Sequence, residues 1–171
     1  MIGIVPQKAV LFKGTIRHNM QWRDKNATDE DIWNALDIAQ AKDFVEKKPD
    51  KLDEMILQEG KNLSGGQRQR LTIARALVGD PEILILDDSA SALDLATDAR
   101  LRKAIHEKTS GMTVFIVSQR ISSIKSADKI IVLDDGKIAG IGTHSELYKG
   151  CEVYKEICLS QLSEKEAQAN G

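Results

Sequence analysis

Long apolar runs are missing from this sequence: nothing in it approaches the roughly 18 consecutive apolar residues that cross a bilayer as a helix. Nor does it open with a basic segment followed by an apolar core. These residues are therefore not expected to form a membrane span or a secretory leader, and they read as cytosolic. Cysteine is scarce. Cys151 and Cys158 stand late in the chain without partners at metal-ligand spacing, and His18, His106 and His144 are far apart. All five are expected to be structural or surface residues rather than metal ligands. An excess of one charge is also missing. The net charge is -2, with Lys and Arg scattered among acids, so no basic face exists to neutralise nucleic-acid phosphates. No Gly-x-x-x-x-Gly-Lys-Ser/Thr loop occurs anywhere, which removes the commonest backbone cradle for a polyphosphate.

What remains is the composition of a folded domain. With 42% hydrophobic and 29% charged residues, 171 residues can bury one core, and one domain over 1–162 is expected. The residues after Leu162 are nearly all small, polar or charged, so 163–171 are expected to form a loose tail. Ile2 to Val5 reads as a short buried strand stopped by Pro6. Met1 leads straight into that strand, so a truncated reading frame or an excised piece is expected.

Thr28 with Asp31 forms a capping-box start for a helix carrying Ile32, Leu36 and Ala39, and a second helical piece runs around Ala41 to Lys48. Ser64 with Gln67 starts another, with an apolar stripe of Leu71, Ala74 and Leu77 and a stop at Gly79. From Ile83 the pattern is strand, helix, strand: Ile83 to Leu86, a helix with Leu101, Ala104 and Ile105, then Thr113 to Val117. Continuous apolar runs alternating with helices indicate a parallel sheet covered on both faces. Lys129 to Leu133 and Lys137 to Ile141 flank Asp134-Asp135-Gly136, a hairpin signal. Thr143 with Glu146 caps one more helix.

The most specific chemical signal is Leu63-Ser64-Gly65-Gly66-Gln67. Its two glycines at a helix entrance expose backbone N–H groups to an anion at the positive end of the helix. The pentapeptide alone is compatible with an ordinary capped turn. The whole stretch Leu63 to Ala76, however, resembles the ABC signature motif and the helix that follows it. Ile83-Leu84-Ile85-Leu86-Asp87 looks like the Walker B strand, Ser91-Ala92-Leu93-Asp94 resembles the D-loop, and Gln7 after Val5-Pro6 resembles the Q-loop glutamine. These motifs stand in family order. Leu11-Phe12-Lys13-Gly14-Thr15-Ile16, Gly60, Asn62 and the stretch Gly142 to Leu147 are similar to exporters with fused membrane and ATPase parts. DNA-repair and translation ATPases share the signature but not these surroundings.

The resemblance implies an α/β fold of the P-loop NTPase, RecA-like type: a parallel sheet core with an inserted helical signature subdomain at about 10–80, lacking the Walker A part. It implies ATP and Mg²⁺ as cofactors. Gln7, Ser64, Gly65, Gly66, Gln67, Asp87 and Asp94 would then bind nucleotide, and Gln7 and Asp87 would reach Mg²⁺ with ATP. It implies a second ABC ATP-binding domain and a transmembrane domain as partners, and a place on the cytoplasmic face of a membrane. Without the Walker A lysine the 171 residues alone are expected to be inactive. With strand edges left unpaired, they are also expected to associate or aggregate.

Two positions depart from the family pattern. The residue after Walker B is normally glutamate and here is Asp88, and the switch histidine falls on Gln119. These two are the candidate catalytic residues. Asp88 is one methylene short, and Gln119 cannot become cationic or relay a proton. Gln58 stands where exporters commonly have glutamate. An intact signature beside a weakened site is what one half of an asymmetric heterodimer would carry. A truncated, non-catalytic protein that only associates with ABC subunits remains the alternative.

Overall fold

A computed structural model of the chain describes residues 1–89, 91–109 and 111–169, with side chains described as far as Gln161. The chain divides into two compact units, Met1–Val117 and Ser118–Gly171.

The first unit is built on strands β1 (Ile2–Val5), β4 (Ile83–Asp87) and β5 (Thr113–Val117), which pair in parallel in the order β1-β4-β5. Between β1 and β4 the chain is mostly helical: α1 (Ile16–Met20), α2 (Asp29–Ile38), α3 (Lys42–Glu46) and α4 (Gly65–Leu77), with a minimal antiparallel pair of β2 (Gly14–Thr15) and β3 (Met55–Ile56). Helix α5 (Leu95–Lys108) crosses from β4 to β5, as two adjacent parallel strands require. The register places Gly3 beside Leu84 and Val5 beside Leu86. Val5, Leu84 and Leu86 are buried in the same core as Leu71, Ile73 and Ala74 of α4 and Leu101 and Ile105 of α5. Gly3 allows the closest approach, because a Cβ there would lie 2.6 Å from the Ala76 carbonyl oxygen. The expected cover on both faces is not found: the alternate strand residues point the other way, and Ile2, Ile4, Phe115 and Val117 are each more than half exposed.

The expected helix starts form as anticipated. Thr28 and Asp31 cap α2 reciprocally, Ser64 and Gln67 cap α4, and α4 ends at Leu77 with Gly79 at φ +76° beyond it.

The second unit holds α6 (Ile121–Ile124), an antiparallel hairpin of β6 (Ile130–Asp134) and β7 (Lys137–Gly142), and helices α7 (His144–Gly150) and α8 (Glu152–Ala169). The hairpin turn is Asp135-Gly136, both at positive φ, the two-residue geometry whose twist suits flanking strands. Ile130, Val132, Leu147, Cys151, Tyr154 and Cys158 form its core. The polar stretch 163–169, anticipated as loose, has helical backbone as the end of α8. Its Glu, Lys, Gln and Ala residues are good helix formers and no Gly or Pro interrupts them. Residues 170–171 lie outside the described part. Among the described residues no helix is long and apolar enough to cross a membrane.

Candidate functional site

Two places in the first unit carry the residues singled out by the sequence. One is the entrance of α4. Ser64 is its N-cap: its hydroxyl oxygen accepts from the Gln67 N–H at 3.2 Å, while its own N–H donates to Gln67 Oε1 at 3.0 Å. Gln67 is therefore committed to shaping the loop. The N–H groups of Gly65 and Gly66 lie in the first turn, where a helix offers no internal acceptor, and Gly65 is exposed. Gly66 packs under the D-loop segment, since a Cβ on it would meet the Ala92 carbonyl at 3.5 Å. Asp94 is the N-cap of α5. Its carboxylate accepts from the Thr97 N–H at 2.9 Å and the Thr97 hydroxyl at 2.7 Å, and these bonds hold it below the usual carboxylate pKa.

The other place is the C-terminal end of the sheet. Because Val5 pairs with Leu86, the chain beyond β1 and the chain beyond β4 emerge side by side, and Gln7 reaches Asp88: Gln7 Nε2 donates to Asp88 Oδ2 at 3.2 Å. Asp88 sits at φ +42°, a left-handed conformation that Asp tolerates better than most residues. Its N–H donates to the Val117 carbonyl at 2.9 Å, and its carbonyl accepts from the Ser91 N–H and hydroxyl. Asp87 ends β4 with its side chain exposed. A cleft of about 350 Å³ is lined among others by Gln7, Lys8, Lys61, Gly65, Arg68 and Ala92. Gln119 belongs to the second unit, exposed, with its carbonyl accepting from Gln161 Nε2 at 2.6 Å.

Sequence reasoning gave no structural role to the side chains that hold these loops. Arg68, Arg70 and Arg75 of α4 each donate to a loop carbonyl: Arg68 to Leu63 at 2.8 Å, Arg70 to Gln40 at 2.7 Å and Arg75 to Val10 at 3.0 Å. The Arg75 guanidinium also lies over the Phe12 ring, and burial lowers the pKa of both Arg70 and Arg75. Asn19, fully buried, clamps Phe12 by accepting from its N–H and donating to its carbonyl. Asn62 ties the stretch before the signature by accepting from the Leu57 N–H and donating to the Met55 carbonyl. The sequence signal for the arginines was their place in the Leu63 to Ala76 stretch that resembles the signature and its helix.

A family model described as ABC transporter matches residues 1–91. This chain belongs to the ABC transporter family. Relatives agree along nearly the whole length. The ABC transporter ATP-binding protein YfiB of Bacillus subtilis is 45% identical over 168 residues, covering 98% of this chain and 29% of the relative. The ABC transporter ATP-binding protein Mb1304c of Mycobacterium bovis is 44% identical over 163 residues, covering 94% and 28%. The solved structure of a bacterial Atm1-family ABC exporter with ATP bound superposes with a TM-score of 0.89 at 36% identity, over 94% of this chain and 28% of that one. This chain thus spans less than a third of the length of these relatives, and its fold is that of an ABC ATPase.

The ABC donor set suits Mg²⁺. That ion takes one or two protein carboxylates plus substrate phosphates rather than an all-protein cage. Asp87 offers an exposed carboxylate and Gln7 an amide oxygen, and the described residues hold no cluster of three His, Cys, Asp or Glu side chains.

Proposed function

We propose that this chain is part of the ATP-binding domain of an ABC exporter subunit, on the cytoplasmic face of the membrane. In this reading residues of about 10–80 form the helical signature subdomain. The signature serves nucleotide held by a second, different ABC domain, and the chain's own Asp88 and Gln119 belong to a slow site. The observation that carries the reading is the contrast between the entrance of α4 and the C-terminal end of the sheet. At the signature, Ser64, Gly65 and Gly66 present a hydroxyl and backbone N–H groups on a loop already held in shape. At the sheet end, Asp88 stands where the family has glutamate, and its carboxylate already accepts from Gln7.

Bound MgATP would supply a γ-phosphoryl group whose charge spreads over three oxygens. Toward that charge on the nucleotide held by the second ABC domain, Ser64 and the first-turn N–H groups of α4 act as fixed donors. In the chain's own site, Asp87 and Gln7 offer oxygens to the ion. One oxygen of the Asp88 carboxylate already accepts from Gln7, and the side chain reaches one methylene, about 1 Å, less far than that of glutamate. A misplacement of that size costs on the order of 100-fold.

ATPase rates of the full-length transporter test this, with each change made singly in this subunit. Ser64→Ala should lower turnover by roughly 10²–10³, the usual loss for one donor to developing charge. Asp88→Glu and Gln119→His should each change it by less than about threefold. If Asp88→Glu raises turnover by orders of magnitude while Ser64→Ala is silent, the reading is wrong.

A further inference from the structure

The peptide unit joining Leu63 to Ser64 is rigid, so its carbonyl and its N–H move together. Both are held, and both by side chains of α4. The Ser64 N–H donates to Gln67 Oε1 at 3.0 Å, and the Leu63 carbonyl accepts from Arg68 Nη1 at 2.8 Å. Fixing that plane sets ψ of Leu63 and φ of Ser64, and with them the direction in which the Ser64 hydroxyl leaves the backbone. The Arg68 nitrogen also lies 3.4 Å from the Gly60 carbonyl, which itself accepts from the Leu63 N–H at 2.9 Å.

The path of the arginine is prepared. Gly60 is buried at φ +68°, and a Cβ on it would come within 2.7 Å of Arg68 Cδ and 2.9 Å of Arg68 Cγ. The aliphatic stem thus occupies the space that any other residue at 60 would fill. Glu59 beside it is also left-handed, at φ +60°, so the 3-10 turn Gln58–Gly60 is bent around this side chain.

From this geometry we infer that Arg68 is a positioning residue for the signature: it acts through the Leu63–Ser64 peptide and couples the Gln58–Gly60 turn to the direction of the Ser64 hydroxyl. The inference rests on the reading of Ser64 as a donor to nucleotide. Arg68→Met keeps the stem and removes the donors. Arg68→Lys keeps a cationic donor on a similar stem.

The test is a double-mutant cycle on steady-state ATPase of the full-length transporter, with Arg68→Met, Arg68→Lys, Ser64→Ala and the Ser64→Ala/Arg68→Met pair. Arg68→Met should lower kcat about tenfold, the worth of one hydrogen bond from a charged donor, with KM within about twofold. Arg68→Lys should restore most of that loss. The double variant should be no slower than Ser64→Ala alone, because a residue that acts through Ser64 has nothing left to position. A merely structural arginine would give multiplying effects. Full kcat in Arg68→Met, or multiplication in the double variant, overturns the inference while a slow Ser64→Ala leaves the functional reading intact. A silent Ser64→Ala overturns both. If Arg68→Met does not accumulate as folded protein, Arg68→Gln takes its place in the same cycle with the same criteria.

Discussion

The entrance of α4 and the end of β4 are built in opposite ways. At α4 each bond that shapes the loop comes from within eight residues: Gln67 to Ser64, Arg68 to Leu63 and Gly60, Asn62 to Met55 and Leu57. At β4, Asp88 is placed by partners far along the chain, Gln7 and the Val117 carbonyl, brought in by parallel pairing. A locally closed loop keeps its shape wherever its helix goes. A site assembled from three strands exists only while the sheet does, so damage to the core should reach the Asp88 end before the signature.

The sharpest way to break the comparison is at the signature itself. Gly65→Asp adds a carboxylate to the exposed first turn of α4 and should cut turnover of the full-length transporter by at least 10³, measured as phosphate release. It should leave the thermal midpoint within about 2 °C, because the site is open and an acid at a helix N-terminus is tolerated. A large drop in that midpoint would show that the loop is not self-contained.

Next in size is the core that the β4 end depends on. Leu84→Ala, at a fully buried position between β1 and β5, should cost about 2–5 kcal/mol in urea unfolding. Ile4→Ala, on the open face of the same sheet with 62% exposure, should cost about 0.5 kcal/mol or less. Equal costs would mean that the open face is packed in solution.

A smaller effect than that of Leu84→Ala concerns the caps. The Asp31 carboxyl is held below its ordinary value by the Thr28 hydroxyl and then the Thr28 N–H, and Glu146 is held down by the Thr143 N–H and then its hydroxyl. A folded pKa below the unfolded one stabilises above the unfolded value and is lost as pH falls through the folded value. Stability should therefore be level from neutral pH down to about 5 and decline below about 4. Thr28→Ala should remove about 1 kcal/mol at neutral pH and flatten that acid decline. An unchanged acid limb in the variant would refute the assignment.

The legible parts of the molecule were those written in neighbouring residues. The capping boxes at Thr28, Ser64 and Thr143 need only a partner three positions on, and the Asp135-Gly136 hairpin needs only its own turn. Strands β1, β4 and β5 showed as apolar runs, while their register did not, because nothing local encodes which of two runs slides against the other. Arg75 to Val10 spans 65 positions and Gln7 to Asp88 spans 81, beyond any periodicity argument. Asn19 drew no reading from the sequence, because its clamp on Phe12 depends on how α1 folds back over the loop. Gly3 read as an unremarkable strand residue until α4 came to rest on it.

The doubly held peptide at Leu63–Ser64 also has an entropic side. Fixing one residue's backbone costs about 1–2 kcal/mol of conformational entropy, and in this loop that cost is met when the chain folds. An anion docking on the first turn of α4 therefore has little left to order, and its association carries little of that entropic cost. In calorimetry, loosening the loop should appear as a more unfavourable association entropy at nearly unchanged enthalpy.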